Sequence, residues 1–212
     1  MKDYSIIELS DNYLTQGFSG HFGAGIEFSV NKGNYSEKDI RMVIDHIMDY
    51  FTQTQTSISD GATFGCGSWL LKFVLNGSYI ELHELKEVMN GNNLYAFDLS
   101  QTIQFLKGQL LLCSQYKETP NIPKLGQKIA VSKEIYQGSE INGVRYPSPD
   151  HMTGWYLTSN SYNGDINTLQ VDHLYHLIKA RPEITKFLAL PNGYRFFMDS
   201  LGEDVWYDKE AI

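Results

Sequence analysis

Two rhythms of hydrophobic positions run through the chain. Ile40, Val43, Ile44, Ile47, Met48 and Phe51 recur at steps of three and four, which places them on one stripe of a helix ending near Thr52. Ser36 stands where such a helix needs a cap, and Glu37 and Asp39 fall in the first turn, where acids complement the helix dipole. His46 sits at the edge of the stripe as an ordinary polar neighbour. A second helix is predicted from a cap at Asp98 or Ser100 to about Tyr116, carrying Ile103, Phe105, Leu106, Leu110, Leu111 and Cys113. The other rhythm has period two. Ile26, Phe28 and Val30 alternate as a strand, and Trp69, Leu71, Phe73 and Leu75 alternate up to Asn76-Gly77, after which Tyr79, Ile80 and Leu82 read as the returning arm of a hairpin. Gly17, Gly20, Gly23 and Gly25 precede the first strand without the order of a dinucleotide-binding loop, so they predict a bend.

Pro120 and Pro123 interrupt both rhythms and mark a connector between two halves. Beyond it, Lys128 to Val131 predicts a strand, a polar turn ends at Gly138, and Val144 with Tyr146 forms a short extended piece before the strand Gly154 to Ser159. Leu169, Val171, Leu174, Leu177 and Ile178 outline a helix. Pro182 opens a further helical turn with Ile184, Phe187 and Leu188, and Pro191-Asn192-Gly193 ends it. Tyr194 to Met198 and Asp204 to Tyr207 close the chain as strands. The expected fold is α+β, with two closely packed subdomains, residues 1–123 and 124–212, each a mainly antiparallel sheet covered by helices.

Composition narrows the function classes. Hydrophobic residues make up 42% of the 212, enough for a real core, and no run reaches the ~18 apolar residues of a membrane span. The start, MKDYSIIELSDNY, lacks the basic and then apolar pattern of a secretory signal, which predicts a cytoplasmic protein. A formal net charge of −8 disfavours nucleic acid and anionic membrane as partners and suits a basic protein. Cys66 and Cys113 lie outside any metal-ligand spacing and read as small core residues.

Candidate chemistry is sparse. His173 and His176, three apart on the predicted helix, would share a face and form a pair able to ligate zinc, with Asp165 or Asp150 as a carboxylate. Zinc proteases require HExxH, which is absent, and the competing reading makes these histidines helix-to-sheet contacts. Asp150 and His151 are adjacent, and Ser132, Ser148 and Ser159 fall in turns or strand ends, but no GxSxG is present. The pattern therefore predicts no catalytic residue, cofactor or metal. A small metal-dependent or acid-base enzyme, and a scaffold module, remain as alternatives.

The carboxy-terminal third carries a resemblance. IAVSKEIYQG, GVRYPSPDHMTGWYLTS, GDINTL, HLYHL, RPEITKFLALPNGYRF and EDVWYD, in this order, resemble the carboxy-terminal domain of a family of bacterial immunity proteins. GSWLLKFVLNGSYIELHEL also resembles the preceding region of longer members. The resemblance implies a non-catalytic protein that binds and neutralises the toxin encoded beside it. It carries no catalytic residues across. Contact residues are expected in the acidic and aromatic parts of this domain: Tyr162, Asp165, Glu203, Asp204 and Asp208, facing a basic toxin such as a nuclease.

Overall fold

The Ser36 hydroxyl oxygen accepts a hydrogen bond from the backbone N–H of Asp39, while the Asp39 carboxylate accepts one from the backbone N–H of Ser36. This reciprocal cap satisfies two otherwise orphaned donors and starts helix α1, Glu37–Thr54, whose predicted stripe is buried throughout. The structure is a computed structural model that describes residues 4–18, 27–89, 91–138 and 140–212. Gly20, Gly23, Gly25 and Ile26, part of the expected bend and strand, lie outside the described residues. The chain divides into two compact units, Met1–Lys107 and Gly108–Ile212.

Among its described residues the first unit holds a seven-stranded sheet. Its strands are β1 (Ser5–Glu8), β2 (Asn12–Gln16), β3 (Glu27–Asn31), β4 (Thr63–Cys66), β5 (Trp69–Asn76), β6 (Tyr79–Met89) and β7 (Asn92–Ala96). Their order is β1-β2-β3-β6-β5-β4, with β7 also on β6, and only β3 with β6 runs parallel. The predicted hairpin is β5–β6, but its loop is Gly77-Ser78, because Asn76 still pairs with Tyr79 in the ladder. Gly77 takes φ +62°, the left-handed conformation that a two-residue loop asks of its first residue. Trp69, Leu71 and Phe73 point into the core as the alternation requires, whereas Leu75, near the loop, is 51% exposed.

Helix α2, Ser100–Gln115, begins at a carboxylate cluster. Glu84, fully buried on β6, accepts from the Thr102 backbone at 2.9 Å, the Thr102 hydroxyl at 3.0 Å and the Lys86 ammonium at 2.6 Å. Its charge therefore sits among the unpaired N–H groups of a helix start, where the dipole favours an anion. Asp98 accepts from Lys86, the Tyr35 hydroxyl and the Leu99 backbone. Burial alone would raise the Asp98 carboxyl, but Lys86, Tyr35 and Ser100 outweigh it and hold it well below the usual range. On α1, Lys107 and then Ser36 hold Asp39 down to about 2. Both folded values lie below those of the unfolded chain, so this stabilisation is complete above pH ~4 and is lost as pH falls further. Acid titration monitored by circular dichroism should show stability falling between pH ~4 and 2. Asp98→Asn should flatten that slope, and an unchanged slope would remove Asp98 from the account.

Among its described residues the second unit holds a six-stranded sheet of order β11-β8-β10-β9-β12-β13. These strands are β8 (Lys128–Val131), β9 (Ile141–Arg145), β10 (Met152–Thr158), β11 (Gln170–His173), β12 (Tyr194–Met198) and β13 (Glu203–Tyr207). Only β8 with β10 is parallel. The sequence prediction of one helix from Leu169 is half right. Leu169 ends the 3-10 turn Ile166–Thr168, Val171 belongs to β11, and helix α3 spans only Leu174–Ala180. A 3-10 turn follows at Pro182–Phe187. The fold is α+β, as expected, with each unit built on its own mainly antiparallel sheet. Cys66 and Cys113 are both buried and free, and burial pushes both thiols up, Cys113 to about 11. That is the behaviour of core residues rather than nucleophiles.

Candidate partner-binding surface

Strand register sorts the second sheet into two unlike faces. Ile129, Val131, Ile141, Trp155, Leu157 and Phe196 lie on one face and are all fully buried. On the other, pairing aligns Val171, Tyr156, Val144, Arg195, Phe197 and Trp206 across β11 to β13. These residues are half-buried or exposed, with Trp206 40% and Val171 59% exposed. The Tyr146 ring meets Tyr156 edge-on at 5.5 Å between centroids. An antiparallel sheet exposed on one side ordinarily presents polar residues there. Here Tyr156, Val144, Phe197 and Trp206 form an aromatic and aliphatic strip among the polar residues Asn142, Thr158, Arg195 and Asp204, and aromatic residues and arginine are enriched at protein interfaces.

The five expected contact residues fall in different places. Asp204 on β13 and Asp208, one residue past its end, flank Trp206 on this face, as period-two alternation dictates. Asp208 accepts from the Glu210 backbone at 2.9 Å and from Arg195 Nε at 2.6 Å, and these contacts hold its carboxyl below the usual range. Asp204 Oδ1 accepts the N–H of Val205 at 2.9 Å. Glu203 is paired with Lys186. Asp165 caps the short 3-10 turn Ile166–Thr168, accepting from the Asn167 backbone at 2.9 Å. Tyr162 is half-buried and lines a polar cleft of about 570 Å³ with Ser132, Lys133, Asn163, Asn167 and Gln170.

The proposed histidine pair needs correction. His173 ends β11 with extended backbone, φ −74° and ψ 137°, while His176 is inside α3, so the two do not share one helical face. Their rings are 6.3 Å apart between centroids. Among the described residues no group of three or more His, Cys, Asp or Glu side chains is placed to hold a metal ion. The helical spacing from Val171 onward hid a strand-to-helix switch, and the i, i+2 step from Leu169 to Val171 was the signal for it.

Sequence reasoning also missed Arg145. It lies on the buried face of β9, 4% exposed, and donates to the carbonyls of Thr153, Asn121, Leu188 and Leu190 at 3.1, 2.6, 3.1 and 2.6 Å. Burial lowers its guanidinium to about 10, so it remains charged at neutral pH. Alternation from Ile141 through Gly143 puts position 145 inside, and that parity could have found it.

Residues 108–208 match the family model of the Imm33-like domain. The second unit is similar to that family. The match covers nearly all of Gly108–Ile212, so the buried arginine, the aromatic face and the Leu-Pro-Asn-Gly corner all belong to it. It supports assignment to an immunity-protein family, a class that is generally non-catalytic and implies a toxin partner. No curated protein and no solved structure matches the chain. Among the described residues no helix is long and apolar enough to cross a membrane. The acid excess sits mainly outside the Imm33-like unit. Met1–Lys107 has 13 acids against 7 Lys and Arg, and Gly108–Ile212 has 12 against 10.

Proposed function

We propose that this protein is an immunity protein that binds one secreted bacterial toxin and neutralises it without turnover. The match of residues 108–208 to the Imm33-like domain carries the reading. The aromatic face of the second sheet supports it, because Tyr156, Phe197 and Trp206 offer apolar contact area bordered by the carboxylates Asp204 and Asp208. Tyr162 and Asp165 form a further patch beside the polar cleft. Glu203 is already paired with Lys186, and Asp208 with Arg195, so each presents less net charge than Asp204. A basic toxin would be drawn over longer range mainly by the first unit, which carries the larger share of the negative charge.

The test is coexpression with the toxin encoded beside this gene, followed by titration calorimetry. The protein should protect cells and bind the toxin with one-to-one stoichiometry. Reversing Asp204 and Asp208 to lysine should raise the dissociation constant at least about tenfold, and Trp206→Ala about thirtyfold, with the fold intact. Unchanged affinity in these variants would move the interface to another surface. Failure to protect would remove the immunity reading.

A further inference from the structure

An antiparallel strand at the end of a sheet turns alternate N–H and C=O groups outward, where another strand can pair with them. The second sheet ends in β11 and β13. On β13, Asp208 donates its N–H to Gly193 and Asp199 donates to Gly202, which fixes residues 202, 204, 206 and 208 as the hydrogen-bonded positions facing β12. Glu203, Val205 and Tyr207 therefore present their backbone outward. At the centre of that row both groups of Val205 are already taken. Its N–H donates to Asp204 Oδ1 at 2.9 Å, and its carbonyl accepts the Tyr116 hydroxyl at 3.2 Å.

The opposite edge repeats the arrangement. Leu174 donates to Gln127, so Gln170 and Asp172 face β8 while Val171 and His173 turn outward. The outward N–H of His173 donates to Asp172 Oδ1 at 2.7 Å, and the other oxygen of Asp172 accepts the Tyr136 hydroxyl at 2.8 Å. In both cases an aspartate of the edge strand accepts the next residue's outward N–H; on β13 Tyr116 also takes the Val205 carbonyl, whereas on β11 Tyr136 holds the Asp172 carboxylate in place. The strands are also short, four residues in β11 and five in β13. With both outward groups of Val205 occupied on β13, and the outward N–H of His173 occupied at the end of β11, too few outward groups remain for a second strand to register.

We propose that Asp204 with Tyr116, and Asp172 with Tyr136, close both edges of this sheet against strand addition by a second copy of the chain. Asp204 then acts through its acceptor oxygen at the edge, separately from any charge it presents to a toxin. Two measurements test this. In the unaltered protein, amide hydrogen exchange should show Val205 and His173 protected like ladder amides, while the outward amides of Val171 and Tyr207 exchange faster. Exchange of Val205 and His173 as fast as their outward neighbours would overturn the proposal. In sedimentation velocity, Asp204→Ala with Tyr116→Phe, and Asp172→Ala with Tyr136→Phe, should self-associate at concentrations at least about tenfold below the parent. Asp204→Asn and Asp172→Asn keep an acceptor oxygen and should behave as the parent. Association no greater than the parent's in the folded double variants, or equal association in the asparagine variants, would also overturn it.

Discussion

Arg145→Met lowers the stability of the Imm33-like unit by about 3–5 kcal/mol, the largest loss expected from any single replacement that keeps the side-chain volume. The guanidinium donates to four carbonyls drawn from three separate segments: Asn121 in the proline-bearing connector, Thr153 on β10, and Leu188 and Leu190 before the Pro191 corner. Methionine would fill the space and spare the cost of burying a charge, but it would leave those acceptors without a donor. Each hydrogen bond from a charged donor is worth about 1.5–3 kcal/mol, and a buried acceptor left bare costs about 1–3 kcal/mol, so the lost contacts outweigh the saved desolvation. Arg145→Lys should recover only part of the loss, because an ammonium has three donors and none of the planar fork that reaches divergent carbonyls. Urea unfolding followed by tryptophan fluorescence measures it. A loss below about 1 kcal/mol for the methionine variant would mean that water replaces the guanidinium at little cost.

What was legible in the sequence follows from how local each signal is. α1 was readable to its cap and its six buried positions, because an 18-residue amphipathic helix carries its own period and its own capping residues. β10, β12 and β13 were readable because aromatic and β-branched alternation has few other interpretations. The first strands, β1 and β2, and β7 were missed. Each is four or five residues long, and β1 and β7 are mostly exposed, so burial left little mark on their sequence. Leu111 is one of the apolar residues carried by α2 yet is 63% exposed, since a helix rich in leucine on several sides does not reveal which side is covered.

The candidate surface was legible in part. Asp204, Trp206 and Asp208 share a face by simple alternation, whereas the aromatic neighbours Tyr156 and Phe197 join them only through pairing across β9, which no local pattern encodes. Arg145 illustrates the opposite limit. Strand parity with Ile141 and Gly143 turns it inward, but the four carbonyls that receive its charge are brought together only by the fold.

Trp155→Ala should cost about 3–5 kcal/mol. Trp155 is fully buried on β10, its ring edge-on to Phe196 at 5.4 Å, and Phe196 in turn stacks on Phe187 at 4.2 Å. Truncation therefore opens a large cavity in the middle of an aromatic stack whose walls are held by the sheet on one side and the Pro182–Phe187 turn on the other. The indole N–H also donates to the Leu188 carbonyl at 3.0 Å, the same oxygen that Arg145 reaches, and the guanidinium lies 5.9 Å from the ring centroid. Because the two side chains share an acceptor and a wall, their losses should not add. A double variant should be less destabilised than the sum of the singles by about 0.5–3 kcal/mol. Additive losses would show that Leu188 is held in place by its own backbone rather than by either donor. A near-parental Trp155→Ala, measured by urea unfolding, would place the indole outside the core altogether.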